Sequence, residues 1–233
     1  MEEKITIQEI NEALEICEPF EKAVIKLMLT SGMNVRQIIE LDYDDFILSI
    51  IEYFDGKGID QFDISEIFEE LDLKNAVLTW MIESKKGYNY VTFSDTETTS
   101  TILCYLYYRE NIAEAVEVDA LFTTNTGRRI SREDISEIFQ KMSEKLGKNI
   151  KPVHLRQLFT QTLLQNGASK SVVSIMLGHE IDPSELEDKK ILEYFEWDVF
   201  LKKTYIKHMQ CFSTNNGTSE QTFFEIADER GSK

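Results

Sequence analysis

Along the first fifty positions, apolar residues recur at intervals of three and four, the spacing that lines one face of an α-helix. Between Thr6 and Ser31 the pattern predicts two helices. Thr6 stands where a cap is needed, with Glu9 three places on as its capping-box partner, and Ile10, Ala13, Leu14 and Cys17 form the apolar stripe. The second helix runs from about Glu18 to Thr30 and is broken by Ser31-Gly32. Asn34, with Gln37 three positions later, opens a third, and a fourth follows around Asp44–Tyr53 before Gly56 and Gly58 mark a loop.

The pattern then changes. Residues 76–82 and 88–93 are rich in β-branched and aromatic side chains and flank Ser84-Lys85-Lys86-Gly87, which predicts a hairpin. Helical spacing resumes at about Asp95–Arg109, Arg132–Leu146, Pro152–Gln165, Lys170–Leu177 and Asp198–Met209, with a short extended piece, Leu121-Phe122-Thr123, before a turn at Gly127. Helices, one small hairpin sheet and more helices predict a mainly helical α+β fold. Residues 1–212 read as one domain, and 213–233, polar and turn-rich, as a flexible tail.

Composition narrows the class. With 233 residues and 42% hydrophobic content the chain can build a core, and no apolar run reaches the roughly 18–20 residues of a membrane span. Met1-Glu2-Glu3-Lys4 does not read as a signal peptide. Cys17, Cys104 and Cys211 lie far apart without metal-ligand spacing, and Cys17 and Cys104 fall in apolar-periodic segments, where buried free thiols in a reducing cytoplasm are expected. The net charge of −17 opposes any general attraction to nucleic acid. A local exception exists: over residues 141–171, Lys141, Lys145, Lys148, Lys151, Arg156 and Lys170 face Glu144 alone, and Arg128, Arg129 and Arg132 lie just upstream. This stretch reads either as a solvated face or as a phosphate-binding one.

The candidate chemistry sits in the same region. Val153-His154-Leu155-Arg156-Gln157-Leu158-Phe159 puts an arginine inside a helix, Leu177-Gly178-His179 puts a histidine just past the next, and Tyr194 follows. A guanidinium can hold a phosphodiester by two parallel hydrogen bonds, an imidazole can donate to a phosphoryl oxygen, and a phenol can attack phosphorus. Each has a plainer explanation as well: an arginine on an amphipathic helix, a histidine favoured by a helix C-terminus, an aromatic anchor beside Phe195 and Trp197.

Taken together, these residues resemble the catalytic box of the tyrosine recombinases, the phage-integrase family. The resemblance covers about residues 6–210 and looks closest to archaeal integrases. It is carried further by Thr30-Ser31-Gly32, by Lys85-Lys86-Gly87 with Thr92-Phe93, and by Tyr194-Phe195 ahead of Leu201-Lys202-Lys203-Thr204-Tyr205. It implies a DNA-breaking and rejoining site with Tyr194 as nucleophile and Tyr205 as second candidate. Arg156 and His179 would be phosphate ligands, and Lys85 or Lys86, with Lys85 the better match, the acid for the leaving oxygen. His154 would be a displaced counterpart of a further histidine. Lys148, Lys151, Arg128, Arg129 and Arg36 are candidate DNA contacts, double-stranded DNA is the implied partner, and an oligomer or an active recombinase partner is compatible with it. No metal, nucleotide or other cofactor is implied.

Two departures bear on activity. The family's first arginine falls on Asn34, and the histidine expected three residues before the second arginine falls on Val153. Arg36 is two helical positions from Asn34, roughly 200° around the axis, and His154 is about 100° from Val153. The spacing from His179 to Tyr194 is also long, through the acidic run Ser184-Glu185-Leu186-Glu187-Asp188. Three readings therefore stand: a recombinase of weakened activity, a catalytically inactive DNA-binding or regulatory module, and an acidic interaction protein that keeps the fold without DNA.

Overall fold

The computed structural model describes residues 5–54, 63–84, 86–112, 119–180 and 197–209. Helices α1 (Ile7–Leu14), α2 (Pro19–Ser31), α3 (Val35–Glu40) and α4 (Tyr43–Ile50) come first, the last running into a 3₁₀ turn over Ile51–Tyr53. Then follow α5 (Ile64–Glu70), strands β1 (Leu78–Glu83) and β2 (Asn89–Ser94), and α6 (Thr96–Ile112). The chain continues with α7 (Arg132–Leu146), α8 (Pro152–Gln165), α9 (Lys170–Met176) and α10 (Trp197–His208). The mainly helical α+β architecture with one small antiparallel sheet is the one the residue pattern predicts.

Local chemistry explains the helix starts. The Thr6 hydroxyl accepts from the Glu9 N–H while the Glu9 carboxylate accepts from the Thr6 N–H. Asn34 and Gln37 exchange the same pair at α3, and Ser131 and Asp134 at α7. Each pair satisfies donors that a helix N-terminus leaves without partners. In the hairpin, Leu78 pairs with Ser94 and Glu83 with Asn89, and the turn closes through Ser84 N–H to Tyr88 O at 2.8 Å.

Two elements differ from expectation. The stretch after Gly58, where no element was predicted, contains α5, nucleated by the Asp63 carboxylate accepting from the Ser65 N–H at 2.7 Å and anchored by buried Ile64 and Ile67. Two apolar contacts in an acidic segment are too few to stand out as a periodic pattern. Tyr205, the second candidate nucleophile, is fully buried, and its hydroxyl donates to Thr30 O at 2.9 Å. Burial holds that phenol well above its ordinary range, so Tyr205 is a core anchor and not a nucleophile. Cys17 is buried and Cys104 half-buried, their thiols pushed up to about 11 and about 12 by burial, whereas Cys211 and the tail lie outside the described residues.

The core is organised around α2. Ala23 through Ser31 are all buried, as expected of a helix packed on every side, and α6, α8 and β2 lie against it. The Lys26 ammonium within this face reaches Glu97 at 2.7 Å and Asn11 at 3.0 Å. At the end of α2, three successive carbonyls each accept from a different distant element. Thr30 O takes the Tyr205 hydroxyl of α10, Ser31 O takes the Thr92 hydroxyl of β2 at 2.7 Å, and Gly32 O takes Nη1 of Arg156 from α8 at 2.6 Å. These are carbonyls that a helix C-terminus leaves unpaired.

Gly32 allows that arrangement. Its φ of 68° is left-handed, and a Cβ there would lie 2.7 Å from Phe159 and 2.8 Å from Leu177. Gly147 has nearly the same φ, 65°, in open space. Gly147→Ala is therefore expected to cost about 1–2 kcal/mol, the conformational term alone, and Gly32→Ala about 1–3 kcal/mol more from overpacking. Denaturant unfolding of the two variants measures the difference; equal losses would show that the Gly32 contact is unimportant.

Candidate active site

The candidate site forms where the C-terminal ends of α2 and α9 meet α8 and the hairpin. Arg156 lies on the second turn of α8, and its half-buried guanidinium donates through Nη1 to Gly32 O at 2.6 Å and through Nη2 to Leu177 O at 2.7 Å. A cation between two helix C-termini sits where both dipoles favour it. Burial lowers its pKa, while the neighbouring Tyr90 hydroxyl raises it. A guanidinium has more N–H donors than these carbonyls use, so it keeps donors for an oxyanion.

His179 follows directly. Ser169 caps α9 by accepting from the Val172 N–H, and Gly178, at φ 71°, ends the helix and turns the exposed His179 outward beside Arg156. Burial first, and then the Arg156 charge, lower the imidazole pKa below the ordinary histidine range. Strand β2 fixes this turn from the other side: the Tyr88 hydroxyl donates to Gly178 O at 2.6 Å, and the Tyr90 ring lies so close that a Cβ on Gly178 would be 2.4 Å from its Cε1. Above the turn, Lys86 pairs with Glu180 at 2.6 Å, an exposed contact that draws the hairpin loop over the His179 segment. Arg156, His179 and the hairpin loop are thus brought together. Lys85 and Tyr194 lie outside the described residues.

The remaining candidates lie elsewhere or have other partners. Asn34 caps α3, its side-chain oxygen accepting from the Gln37 N–H at 3.2 Å. Arg36 points away along the same helix and pairs with Glu40 at 2.6 Å. Pro152 and Val153 are helical, so His154 stands in the first turn of α8 and its Nδ1 accepts from the Lys151 N–H at 3.1 Å. That bond places the ring proton on Nε2 and leaves His154 as a helix-terminal group.

Most of the basic residues expected to face DNA are committed inside the chain. Arg128 makes a two-pronged contact with Asp134, both bonds 2.9 Å, and lowers that carboxyl to about 2. Arg129 donates to Ile39 O and Leu41 O and pairs with Asp42. Lys148 pairs with Glu9 at 2.7 Å and Lys141 with Glu21 at 2.8 Å. Among the described residues, Lys145, Lys151 and Lys170 are exposed and have no ion-pair partner.

Sequence reasoning passed over Tyr90 as a site residue. Its hydroxyl accepts from Gln37 Nε2 at 2.7 Å and meets the Arg156 guanidinium, while its ring supports Gly178. The available signal was period two: Tyr90 shares a strand face with Thr92, which binds the end of α2.

Comparison with known proteins agrees with this architecture. The profile described as "Phage integrase family" matches residues 66–184, just over half of the chain. "Tyrosine recombinase XerD" of Staphylococcus epidermidis (strain ATCC 12228 / FDA PCI 1200) is 26% identical over 163 residues, covering 68% of this chain and 46% of that protein. "Tyrosine recombinase XerC" of Thermodesulfovibrio yellowstonii is 29% identical over 165 residues with the same coverage. The chain spans about half the length of these curated relatives. Among solved structures, a XerA recombinase matches with a TM-score of 0.57 at 16% identity, over 100% of this chain and 66% of that one. The XerH recombinase bound to palindromic difH in a post-cleavage complex matches with a TM-score of 0.56 at 16% identity, over 97% and 51%. The α2–α8–α9 frame around Arg156 and the matched profile have one explanation: the chain belongs to the phage-integrase family, the tyrosine recombinases.

Proposed function

We propose that this protein binds double-stranded DNA and acts on its phosphodiester backbone as a site-specific tyrosine recombinase, through a 3′-phosphotyrosyl intermediate. The observation that supports the reading most directly is the pairing of Arg156 and His179 across the ends of α2 and α9. In the reaction, the Tyr194 oxygen bonds to phosphorus as the bond to the 5′-oxygen breaks. Arg156 and His179 donate to the non-bridging oxygens, and Lys85 protonates the departing hydroxyl. A neutral His179 also leaves one ring nitrogen free to take the phenolic proton. Residues 1–212 act as the catalytic domain, alone or beside a second copy or an active recombinase, in the cytoplasm.

Asn34 favours a second reading. Losing one preorganised donor to a developing oxyanion costs about 3–4 kcal/mol, a rate factor of ~10²–10³. With His154 turned to Lys151, a second donor is missing as well. The chain is then a DNA-binding or regulatory module of the same family in which cleavage is weak or lost. The likeness to archaeal integrases rests on the Thr30-Ser31-Gly32, hairpin and Tyr194-Phe195 motifs; the relatives named above come from Staphylococcus and Thermodesulfovibrio.

A nicked suicide substrate separates the two readings. Wild-type protein is expected to trap a covalent DNA adduct that is lost in Tyr194→Phe and in Arg156→Ala and retained in Tyr205→Phe. DNA binding without any adduct supports the module, and no binding at about 50 mM salt, where phosphate contacts are strong, sinks both in favour of an acidic protein without DNA.

Electrostatics give a further test. Lys151→Glu is expected to weaken DNA binding across sequences and to reduce the salt slope by about 1. Lys148→Glu instead places like charges together at Glu9 and should lower the melting temperature. If Lys148 dominates binding and Lys151 is silent, the free-cation assignment is wrong.

His179 fixes the pH response. Its native pKa is lowered, so between that value and the ordinary histidine range the unfolded chain binds more protons and stability rises with pH. Ring-proton NMR should show His179 titrating below a free histidine, and moving upward in Arg156→Gln. A midpoint unchanged by that substitution would show that the two groups do not interact.

A further inference from the structure

We infer that the Tyr90 hydroxyl is a phosphate ligand, supplying to a non-bridging oxygen the hydrogen bond that position 34 does not provide. The inference deepens the phosphodiester reading of the Arg156–His179 site and rests on it. Tyr90 is only 8% exposed, yet it stands where three parts of the site meet. Gln37 from α3 donates to its oxygen at 2.7 Å, the Arg156 guanidinium from α8 approaches the same oxygen, and its ring packs on Gly178 of the His179 turn.

The direction of these bonds matters. Gln37 donates to the phenol oxygen, and the nearby Arg156 guanidinium carries only N–H donors, so neither can take the hydroxyl proton, which is left to be given outward. Among the described residues no acceptor takes that proton. A buried donor without a partner is costly unless something occupies the position opposite it. Burial also pushes the Tyr90 phenol up, so it stays protonated at neutral pH, and a hydroxyl that receives a hydrogen bond beside a cation is a strengthened donor. An oxyanion held by the spare N–H groups of Arg156 is the acceptor this geometry suits.

The same chain of contacts explains Asn34. Its side chain is occupied in capping α3 and orders Gln37, whose carbonyl oxygen accepts from the Asn34 N–H and whose amide turns to Tyr90. Asn34 therefore acts through Gln37 as a positioning residue, and a neutral phenol stands in for a guanidinium. The ligand class is a phosphodiester or an inorganic phosphate, with no metal required.

The test uses the full chain and Tyr90→Phe, which keeps the ring on Gly178 and removes only the hydroxyl. Binding of inorganic phosphate is expected to weaken about tenfold or more, the range of a hydrogen bond to a charged group, and adduct formation on the suicide substrate to slow ~10²–10³-fold. If Tyr90→Phe does not fold, 3-fluorotyrosine at position 90 supplies the measurement: its fluorine resonance should move on adding phosphate. Unchanged phosphate affinity in Tyr90→Phe, or a fluorine signal indifferent to phosphate, overturns the inference. An adduct formed equally fast by wild type and Tyr90→Phe overturns it while leaving the recombinase reading intact. Phosphate binding that depends on Tyr90 in a protein forming no adduct upholds the inference and removes the cleavage reading instead.

Discussion

Three consecutive carbonyls at the end of α2, Thr30, Ser31 and Gly32, govern the arrangement of everything around the site. Each is satisfied by a side chain from a different element: Tyr205 of α10, Thr92 of β2 and Arg156 of α8. A helix terminus buried without partners would forfeit roughly 1–3 kcal/mol for each orphaned group. The requirement to pair them therefore locks three parts of the chain, distant in sequence, to one point. Arg156 takes part twice over, because its other arm closes the end of α9 at Leu177. The residue best suited to bind phosphate is thereby held rigid by backbone acceptors on two helices, the kind of preorganisation an electrostatic site needs.

Much of this was legible in the residues. The caps at Thr6 and Asn34, and the glycine exit at Gly32, are local chemistry that acts within a few residues, so reading the chain locates them. The hairpin was legible for the same reason, since alternation and a turn lie side by side. What escaped was tertiary. Nothing within a few residues of Arg129 or Lys148 shows that Asp42 and Glu9 will engage them, and the Glu9 contact spans more than half the chain. The role of Tyr90 was hidden for a similar reason, since strand propensity accounted for it fully until α3 and α9 were folded onto it. The profile match and the structural likenesses bear out the family reading, and the reach of Arg156 to the His179 turn adds a contact between two motifs that the chain keeps apart.

The charge balance follows from the same logic. The chain has 42 acidic residues against 25 lysines and arginines, and among the described cations Lys26, Arg36, Lys86, Arg128, Arg129, Lys141, Lys148 and Lys202 are each engaged by a carboxylate. The exposed pairs are worth little individually, but they remove positive charge from the face a polyanion would approach. Lys145, Lys151 and Lys170, at the ends of α7, α8 and α9, are exposed and stand outside these pairs. Association with DNA would then depend on few cations and fall steeply with salt. An acidic protein of this family is thus pushed toward recognition that relies on a shaped site and neutral donors more than on general attraction.

That pressure gives the Asn34–Gln37–Tyr90 line a physical meaning. On the proposed reading, an amide and a phenol in place of a guanidinium would remove a unit of positive charge without removing the donor, because the Gln37 amide aims the phenol oxygen. Neutral donors also tolerate burial far better than a second cation beside Arg156 would, since two like charges in a partly desolvated pocket repel strongly. The lowered pKa of Arg156 shows that desolvation already weighs on one guanidinium there. A neutral second ligand relieves that strain at the expense of charge stabilisation in the transition state. If the site takes a phosphate as proposed, such an arrangement would favour holding it over driving its expansion to a phosphorane, and binding and cleavage would become separable.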